Sequence, residues 1–267
     1  MTEAESTGTY THGYSHGSVQ ALTNRSANRE AAFLLPYLKP GMRFVDVGCG
    51  PGTITVGLAA AIGPGEVLGI DFSPEMVERA RALAKEQGVA NVRFEVGRAE
   101  EMPIADETFD AALEHNLLEH VADPLRVLRE MHRVLKPGAV IGLADGDWGT
   151  LLIEPAIPDL LEGLALYERV WRLNGGNPRL GRIQRALLRQ TGFRHGETTL
   201  HGIEVAPNAA ESWVARLLGP RVGGRALELG WVDRPTLERY AEGWRTWAKD
   251  PDALAITANL QTVGWRD

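Results

Sequence analysis

The chain has 267 residues, 44% of them hydrophobic and 24% charged, which suits one α/β domain with insertions, or one domain plus a small cap. Its 28 Lys and Arg residues stand against 35 Asp and Glu residues, and the formal net charge of −7 disfavours binding to nucleic acid or to an acidic membrane surface, although a local basic patch stays open. A single cysteine, a polar N-terminus without a signal peptide, and no apolar run near the roughly 20 residues of a membrane span favour the cytoplasm.

Residues 1–23 are rich in Gly, Ser, Thr, His and Tyr and show no hydrophobic period, so we expect an N-terminal arm. Apolar residues then recur at helical spacing from about Asn24 to Leu38, where Pro40-Gly41 ends the predicted helix.

From Arg43 to Ala144, short apolar runs alternate with amphipathic segments, a pattern that predicts βαβ units and a parallel sheet. The predicted strands are Arg43–Val47, Glu66–Ile70, Val92–Val96, Phe109–Glu114 and Ala139–Ala144. The predicted helices are Thr53–Ile62, Pro74–Glu86 with Ser73 as its N-cap, and Pro124–Leu135. The expected fold class is therefore α/β, with a doubly wound and mostly parallel sheet.

Beyond the fifth strand the pattern is looser. Helical patterns occupy parts of 148–176, 180–190 and most of 209–249, whereas Glu197–Val205 and Ala255–Val263 look extended. We expect a core at 24–147, helical cap insertions at 148–176 and 207–250, and completion of the core sheet by 177–206 and 251–267.

Three glycines at alternate positions follow the first predicted strand, in the segment Asp46-Val47-Gly48-Cys49-Gly50-Pro51-Gly52. Glycine permits a positive φ and lets a ligand approach the backbone, and the next helix offers unpaired amide donors. Such a loop suits a nucleoside ligand at the carboxyl end of the sheet. Thr53 stands where Gly-x-Gly-x-x-Gly needs its third glycine, which disfavours NAD, and no Lys-Ser or Lys-Thr pair supports a P-loop.

A carboxylate closes the second predicted strand. Asp71 matches the vicinal hydroxyls of a ribose, which a carboxylate binds with two hydrogen bonds. The alternative is a helix-capping or turn aspartate.

The glycine loop and Asp71 resemble the class I S-adenosylmethionine-dependent methyltransferases. Three further segments support the resemblance: Glu95–Asp110, Leu118–Pro124 and Leu128–Gly138. It covers about Leu35 to Ala144 and is strongest for the subgroup that includes ubiquinone and menaquinone biosynthesis enzymes and many natural-product enzymes. It implies a Rossmann-like sheet with an antiparallel last strand, S-adenosylmethionine as cofactor and S-adenosylhomocysteine as product.

The resemblance also implies a role for each matching position. Asp71 would hold the ribose hydroxyls, while the loop would line the methionine and ribose portions through Asp46, Gly48, Cys49, Gly50 and Gly52.

Further matching positions would surround the two ends of the cofactor. Phe72 and Met76 would pack against adenine, and the Ala99 amide and Glu100 would meet its edge. Glu114 and His115 would flank the sulfonium. Arg98 stands where the family usually has an aspartate that accepts from the adenine amino group, so Glu100 or a backbone carbonyl must accept, or that bond is absent.

Methyl transfer needs an aligned nucleophile, a desolvated pocket and, for a hydroxyl or an acidic carbon, a general base. Candidate bases are His115 and His120, after the fourth strand, and Asp145, after the fifth. The alternatives are a packing or turn histidine for His120 and a capping or loop aspartate for Asp145.

The arm supplies two further candidates. His12, a possible base, and Tyr14 suit a lid that closes over the cofactor, and a disordered terminus is the alternative. Arg25 would meet the cofactor carboxylate, or it is a solvated arginine at a helix start.

The cap region holds most of the seven tryptophans, which fit either a wide apolar pocket or ordinary core packing. No His or Cys pattern supports a metal site, and magnesium through Asp145 and Asp147 stays open. We therefore expect a monomeric or homodimeric enzyme that methylates a small, hydrophobic or aromatic molecule at O, N or C. The alternatives are a nicotinamide-dependent oxidoreductase, a non-catalytic binding protein, and methylation of RNA or protein.

Overall fold

Seven strands build one sheet in the computed structural model, which describes Thr11 and residues 22–267. The strands are β1 Arg43–Val47, β2 Glu66–Asp71, β3 Val92–Val96, β4 Phe109–His115, β5 Leu135–Glu154, β6 Phe193–Glu204 and β7 Leu254–Arg266. Their order across the sheet is β3-β2-β1-β4-β5-β7-β6.

Strand direction in this sheet follows the connections. Strands β1 to β5 pair in parallel, and helical crossovers join most of them, whereas β7 runs antiparallel to both β5 and β6. The predicted doubly wound α/β fold with an antiparallel last strand is confirmed.

Helices cover both faces of the sheet and form a cap beyond it. They are α1 Ala27–Glu30, α2 Thr53–Ile62, α3 Pro74–Glu86, α4 Pro124–Val134, α5 Pro158–Leu173, α6 Gln184–Gln190, α7 Ala210–Leu218, α8 Arg225–Glu228 and α9 Arg234–Lys249. Short 3₁₀ turns lie at Leu35–Tyr37, Leu118–His120, Gly181–Ile183 and Pro207–Ala209.

Local sequence explains where the core helices begin. Ser73 Oγ accepts a hydrogen bond from the Met76 amide at 3.4 Å, and Asp123 Oδ1 accepts one from the Arg126 amide at 3.0 Å. A proline at the first helical position follows each cap, where its missing N–H costs nothing.

The apolar stripe of each helix buries against one face of the sheet. Leu128 and Met131 of α4 pack with Leu188 of α6 on one face, while Ala27 of α1 and Leu58 of α2 pack on the other. Helix α3 adds Val77 and Ala80 beside α2. Two buried faces explain why the central strands read as continuous apolar runs.

Two segments differ from the sequence expectation. The predicted helix over Asn24–Leu38 is only the short helix α1, and a separate 3₁₀ turn follows with Pro36 in its first positions. Strand β5 continues to Glu154, through residues expected to be partly helical, because Leu152–Glu154 pair with β7. Strands β5, β7 and β6 thus extend beyond the rest of the sheet as a ribbon.

The cap has its own core, formed by α5, α7, α8 and α9. Trp171, Trp244 and Trp247 are at most 2% exposed within it, so core packing accounts for these three tryptophans. Trp231 is stacked against Arg169, with the guanidinium carbon 3.5 Å from the ring centroid. Across the described part of the chain, no helix combines the length and apolar character that a bilayer span requires.

Candidate active site

A cavity of about 480 Å³ lies at the carboxyl ends of β1, β2 and β4, between the core and the cap. Its floor comes from the glycine loop, from residues after β2 and β3, and from the turn after β4. Its far wall comes from the ribbon and α7, through Gly146, Trp148, Ile203, Val205, Trp213, Arg216, Thr257 and Ala258. The position matches the rule that open parallel sheets bind ligands at their carboxyl edge.

The glycine loop turns sharply at the mouth of β1. Gly48 and Gly50 have φ values of +79° and +53°, in the left-handed region that favours glycine. A Cβ on Gly48 would lie 3.1 Å from the Leu117 side chain, whereas a Cβ on Gly50 would meet no atom within 4 Å. The backbone at Gly50 is therefore open to a ligand in the cavity.

Asp71 ties this loop to β2. Its Oδ2 accepts a hydrogen bond from the Gly50 amide and its Oδ1 accepts one from the Ser73 amide, both at 2.9 Å. Burial raises the pKa of the Asp71 carboxyl, although these two amide donors oppose the shift. The turn role that the sequence left open is thus present, and the same carboxylate also lines the cavity.

Asp46, on β1, is a second buried carboxyl at the cavity. Its Oδ2 accepts a hydrogen bond from the Thr55 hydroxyl at 2.6 Å, and the residue is 2% exposed. Burial raises its pKa to about 7, despite the hydrogen bond from Thr55. Burial likewise raises the pKa of the Cys49 thiol well above its usual range, so this thiol stays protonated at neutral pH.

An apolar slot opens beside Asp71. Met76 is fully buried beneath it, while the Phe72 ring is 50% exposed at its edge. Ala99 and Glu100 line the other side, and Glu100 Oε1 lies 3.2 Å from Arg98 Nη2. Arg98 is thus paired with Glu100, the residue that the sequence suggested as the hydrogen-bond acceptor for the adenine amino group.

His115 lies in a chain of charged groups. Its Nδ1 is 3.3 Å from Arg25 Nη1, and its Nε2 is 3.5 Å from Glu30 Oε2. Burial lowers the His115 pKa, although the Glu30 carboxylate opposes this shift. Burial would raise the pKa of Glu30, but the hydrogen bond from His115 and the neighbouring arginines lower it to about 2. Both ring nitrogens of His115 are therefore engaged within the protein.

His120 lines the cavity in a different setting. Its ring is stacked on Trp171 at a centroid distance of 4.9 Å, and its Nε2 lies 3.4 Å from Glu119 Oε1. Glu119 is 1% exposed, and its Oε2 accepts a hydrogen bond from the Gly146 amide at 2.8 Å. The histidine is thus oriented by an aromatic face and a fixed carboxylate.

Glu114 and Asp145 lie behind the cavity rather than in its lining, and both are fully buried. Their carboxyls hydrogen-bond each other. Glu114 also accepts from the Ala144 amide at 3.0 Å, and Asp145 accepts from the Glu119 amide at 3.0 Å. The pair fastens β4, β5 and the following turn together, and the predicted roles of Asp145 as a base and of Glu114 beside the sulfonium stay predictions.

This pair makes stability depend on pH. Burial raises the Glu114 pKa well above its usual range and the Asp145 pKa to about 7, so folding takes up protons between the unfolded value of 3.8 and about 7. The free energy of unfolding is then highest below that window and falls as the pH rises through it. We expect Glu114→Gln, which mimics the protonated acid, to flatten the decline measured by urea titration from about pH 5 to about pH 8.

Glu86→Gln, at an exposed position, is the matched control and should keep the wild-type slope. If the unfolding free energy of Glu114→Gln declined with pH as steeply as that of the control, the pair would not be the source of the pH dependence.

Most of the predicted site residues meet in this one cavity. Those in its lining are Arg25, Asp46, Gly48, Cys49, Gly50, Asp71, Phe72, Met76, Arg98, Ala99, Glu100, His115 and His120. Gly52 instead packs against Ala80, and His12 and Tyr14 lie outside the described residues. Within 22–267 no group of three His, Cys, Asp or Glu side chains is placed to hold a metal ion, and Asp147 binds Arg182 at 2.6 Å.

Sequence reasoning missed several lining residues. Asn116 follows β4 with a φ of +54°, and its Oδ1 accepts a hydrogen bond from Asn259 at 2.9 Å. Its position after the strand could have marked it, as could that of Glu119 within the matched motif. The cap residues Trp213 and Arg216 had no comparable signal.

The strand order, the antiparallel β7 and the glycine turn bonded to Asp71 are those of a class I, Rossmann-like methyltransferase fold. Comparison with known proteins agrees: the methyltransferase domain family matches residues 38–184, more than half of the chain. The chain belongs to this family of S-adenosylmethionine-dependent methyltransferases.

Individual relatives give the same assignment. An uncharacterized methyltransferase of Schizosaccharomyces pombe is 32% identical over 248 residues, 87% of each chain. The demethylmenaquinone methyltransferase of Bacillus cytotoxicus is 38% identical over 125 residues, 46% of this chain and 53% of that enzyme, so the chain spans about half of that relative. The structure of a putative methyltransferase from Bacillus halodurans superposes with a TM-score of 0.62 at 18% identity, covering 88% of this chain and 97% of the other.

Proposed function

We propose that the protein transfers the methyl group of S-adenosylmethionine to a small, apolar or aromatic molecule bound between the glycine loop and the cap. The observation that carries this proposal is the open backbone at Gly50, hydrogen-bonded to Asp71, at the floor of a cavity with an aromatic far wall.

The cofactor would occupy the floor of the cavity. Asp71 would accept hydrogen bonds from the ribose hydroxyls, and the loop at Gly48 and Gly50 would contact the methionine portion. Phe72 and Met76 would enclose the adenine, where the half-exposed Phe72 ring gains cover. S-adenosylmethionine supplies a methyl group that is already activated on sulfur, so the protein needs mainly to align the methyl acceptor and exclude water.

His120 is the better candidate for a general base. His115 is held between Arg25 and Glu30, whereas His120 lies between the floor of the cavity, where the cofactor would bind, and the cap. The Nε2 proton would point to Glu119 Oε1, 3.4 Å away, so the acceptor's proton would go to Nδ1, and the carboxylate would stabilise the resulting imidazolium. Glu119 is then a positioning residue, and Trp171 holds the plane of the ring.

The function is tested with calorimetry and with a transfer assay. S-adenosylmethionine and S-adenosylhomocysteine should bind, whereas NAD should not, and radiolabelled methyl should pass to at least one member of a panel of phenols, quinols and aromatic acids. Binding of NAD instead would favour an oxidoreductase, and binding without transfer across the panel would favour a non-catalytic protein.

Removal of the base should affect turnover more than binding. We expect His120→Asn to lower kcat by about 10²- to 10⁴-fold on the best acceptor of the panel, with the affinity for S-adenosylmethionine unchanged. His195→Asn, near the opposite end of β6 from the lining residue Ile203, is the control, and equal rates in the two variants would contradict the role.

A further inference from the structure

The far wall of the cavity carries an arginine that forms no ion pair with the residues that the structure describes. Arg216, on α7, lies on the wall formed with Ile203, Val205 and Trp213. Its guanidinium carbon is 4.8 Å from the centroid of the Trp213 ring. This cation–π contact favours a position of the guanidinium beside the indole ring at the cavity wall.

The other arginines around this cavity have partners. Arg98 lies 3.2 Å from Glu100, Arg126 lies 3.4 Å from Glu101, and Arg25 lies 3.3 Å from His115. Arg216 forms no ion pair with any carboxylate of residues 22–267, and its buried Nε has no hydrogen-bond partner among them. Arg216 therefore brings a charge without a carboxylate partner to the cavity lining, where its terminal nitrogens could pair with an acidic group of a ligand.

The surroundings of Arg216 restrict what that group can belong to. Trp213 is 6% exposed, its ring lies 5.1 Å from that of Trp148, and the neighbouring ribbon contributes Ile203 and Val205. An aromatic and aliphatic wall favours a flat or branched apolar body, whereas a lone guanidinium favours an anionic oxygen pair.

We propose that Arg216 binds an acidic group of the methyl acceptor, so that the acceptor class is an apolar, ring-sized molecule carrying a carboxylate or an equivalent oxyanion. This inference rests on the proposed function, because it places the acceptor on the cap side of the cofactor. The charge would anchor the far end of the acceptor and direct its other end toward His120 and the methyl group.

The test compares a charged and a neutral probe of the same shape. In the presence of saturating S-adenosylhomocysteine, calorimetry measures the binding of 2-naphthoate and of 2-naphthamide. We expect wild type to prefer 2-naphthoate by about 10- to 100-fold, the range for a charge-assisted hydrogen-bonded pair. Arg216→Gln should abolish the preference, and Arg216→Lys should restore part of it.

Arg189→Gln, an exposed position on α6, removes one charge away from the cavity and should keep the wild-type preference. Unchanged S-adenosylhomocysteine affinity in the Arg216 variants shows that the site remains folded. Equal affinity of the two probes, no measurable binding of either, or a preference that survives Arg216→Gln overturns the proposal. Failure of S-adenosylhomocysteine to bind wild type, with the probe preference intact, overturns the proposed function instead.

Discussion

Replacing Asp71 by alanine should weaken S-adenosylhomocysteine binding by about 100-fold, measured by calorimetry. The ribose hydroxyls would lose their hydrogen bonds to the carboxylate, and hydrogen bonds to a charged group contribute about 1.5–3 kcal/mol each. The substitution also removes the acceptor of the Gly50 and Ser73 amides, so the glycine loop loses the side chain that fixes its conformation at the cavity. Asp71→Asn keeps the shape and one acceptor oxygen, so its affinity for S-adenosylhomocysteine should lie between those of the wild type and of Asp71→Ala.

Asp252→Ala is the matched control, because this aspartate is exposed, precedes β7 by two residues and is absent from the cavity lining. It should bind like wild type. An Asp71→Ala protein that is folded by thermal unfolding and yet binds with wild-type affinity would contradict the ribose role of this residue.

Replacing Gly52 by alanine should cost about 2–4 kcal/mol of unfolding free energy. Gly52 has a φ of +80°, and an added Cβ would lie 2.7 Å from the Ala80 Cβ and 3.1 Å from the Ala80 Cα. A left-handed conformation costs an ordinary residue about 1–2 kcal/mol, and forcing an extra methyl group into packed helices adds about 1–3 kcal/mol. The start of α2 would have to move away from α3. Urea titration measures the loss.

Gly50→Ala provides the comparison within the same loop. Its φ is +53° but its Cβ would point into open space, so the expected cost is only about 1–2 kcal/mol. The methyl group would instead obstruct the cavity floor and weaken cofactor binding. Equal losses of stability in the two variants would contradict the packing role of Gly52.

The sequence predicts the core of the fold closely because its signals there are local. Strand β1, helix α2 and helix α3 begin and end where the apolar runs, the glycine turns and the Ser73 cap predict. The loop residues and Asp71 could be proposed as a site for the same reason, since the glycine spacing and the carboxylate at the end of the next strand are visible in a short stretch of sequence.

Where the outcome depends on distant partners, the sequence was less informative. Strand β5 passes through Trp148 because β7, more than 100 residues later, pairs with it. Asp145 looked like a base because it follows a strand, yet Gln184 and the Glu119 amide claim its oxygens. Arg216 and Trp213 lie on a helix whose position over the cavity is set by packing in the cap.

The place of β7 in the sheet links the pairing of the strands to the wall of the cavity. Residues 254–266 separate β5 from β6 and pair with both, and the same strand brings Thr257 and Ala258 to the cavity wall. Without this segment, β5 and β6 would each present an unpaired edge and the cavity would lose part of its wall. One strand therefore couples the closure of the sheet to the shape of the ligand cavity.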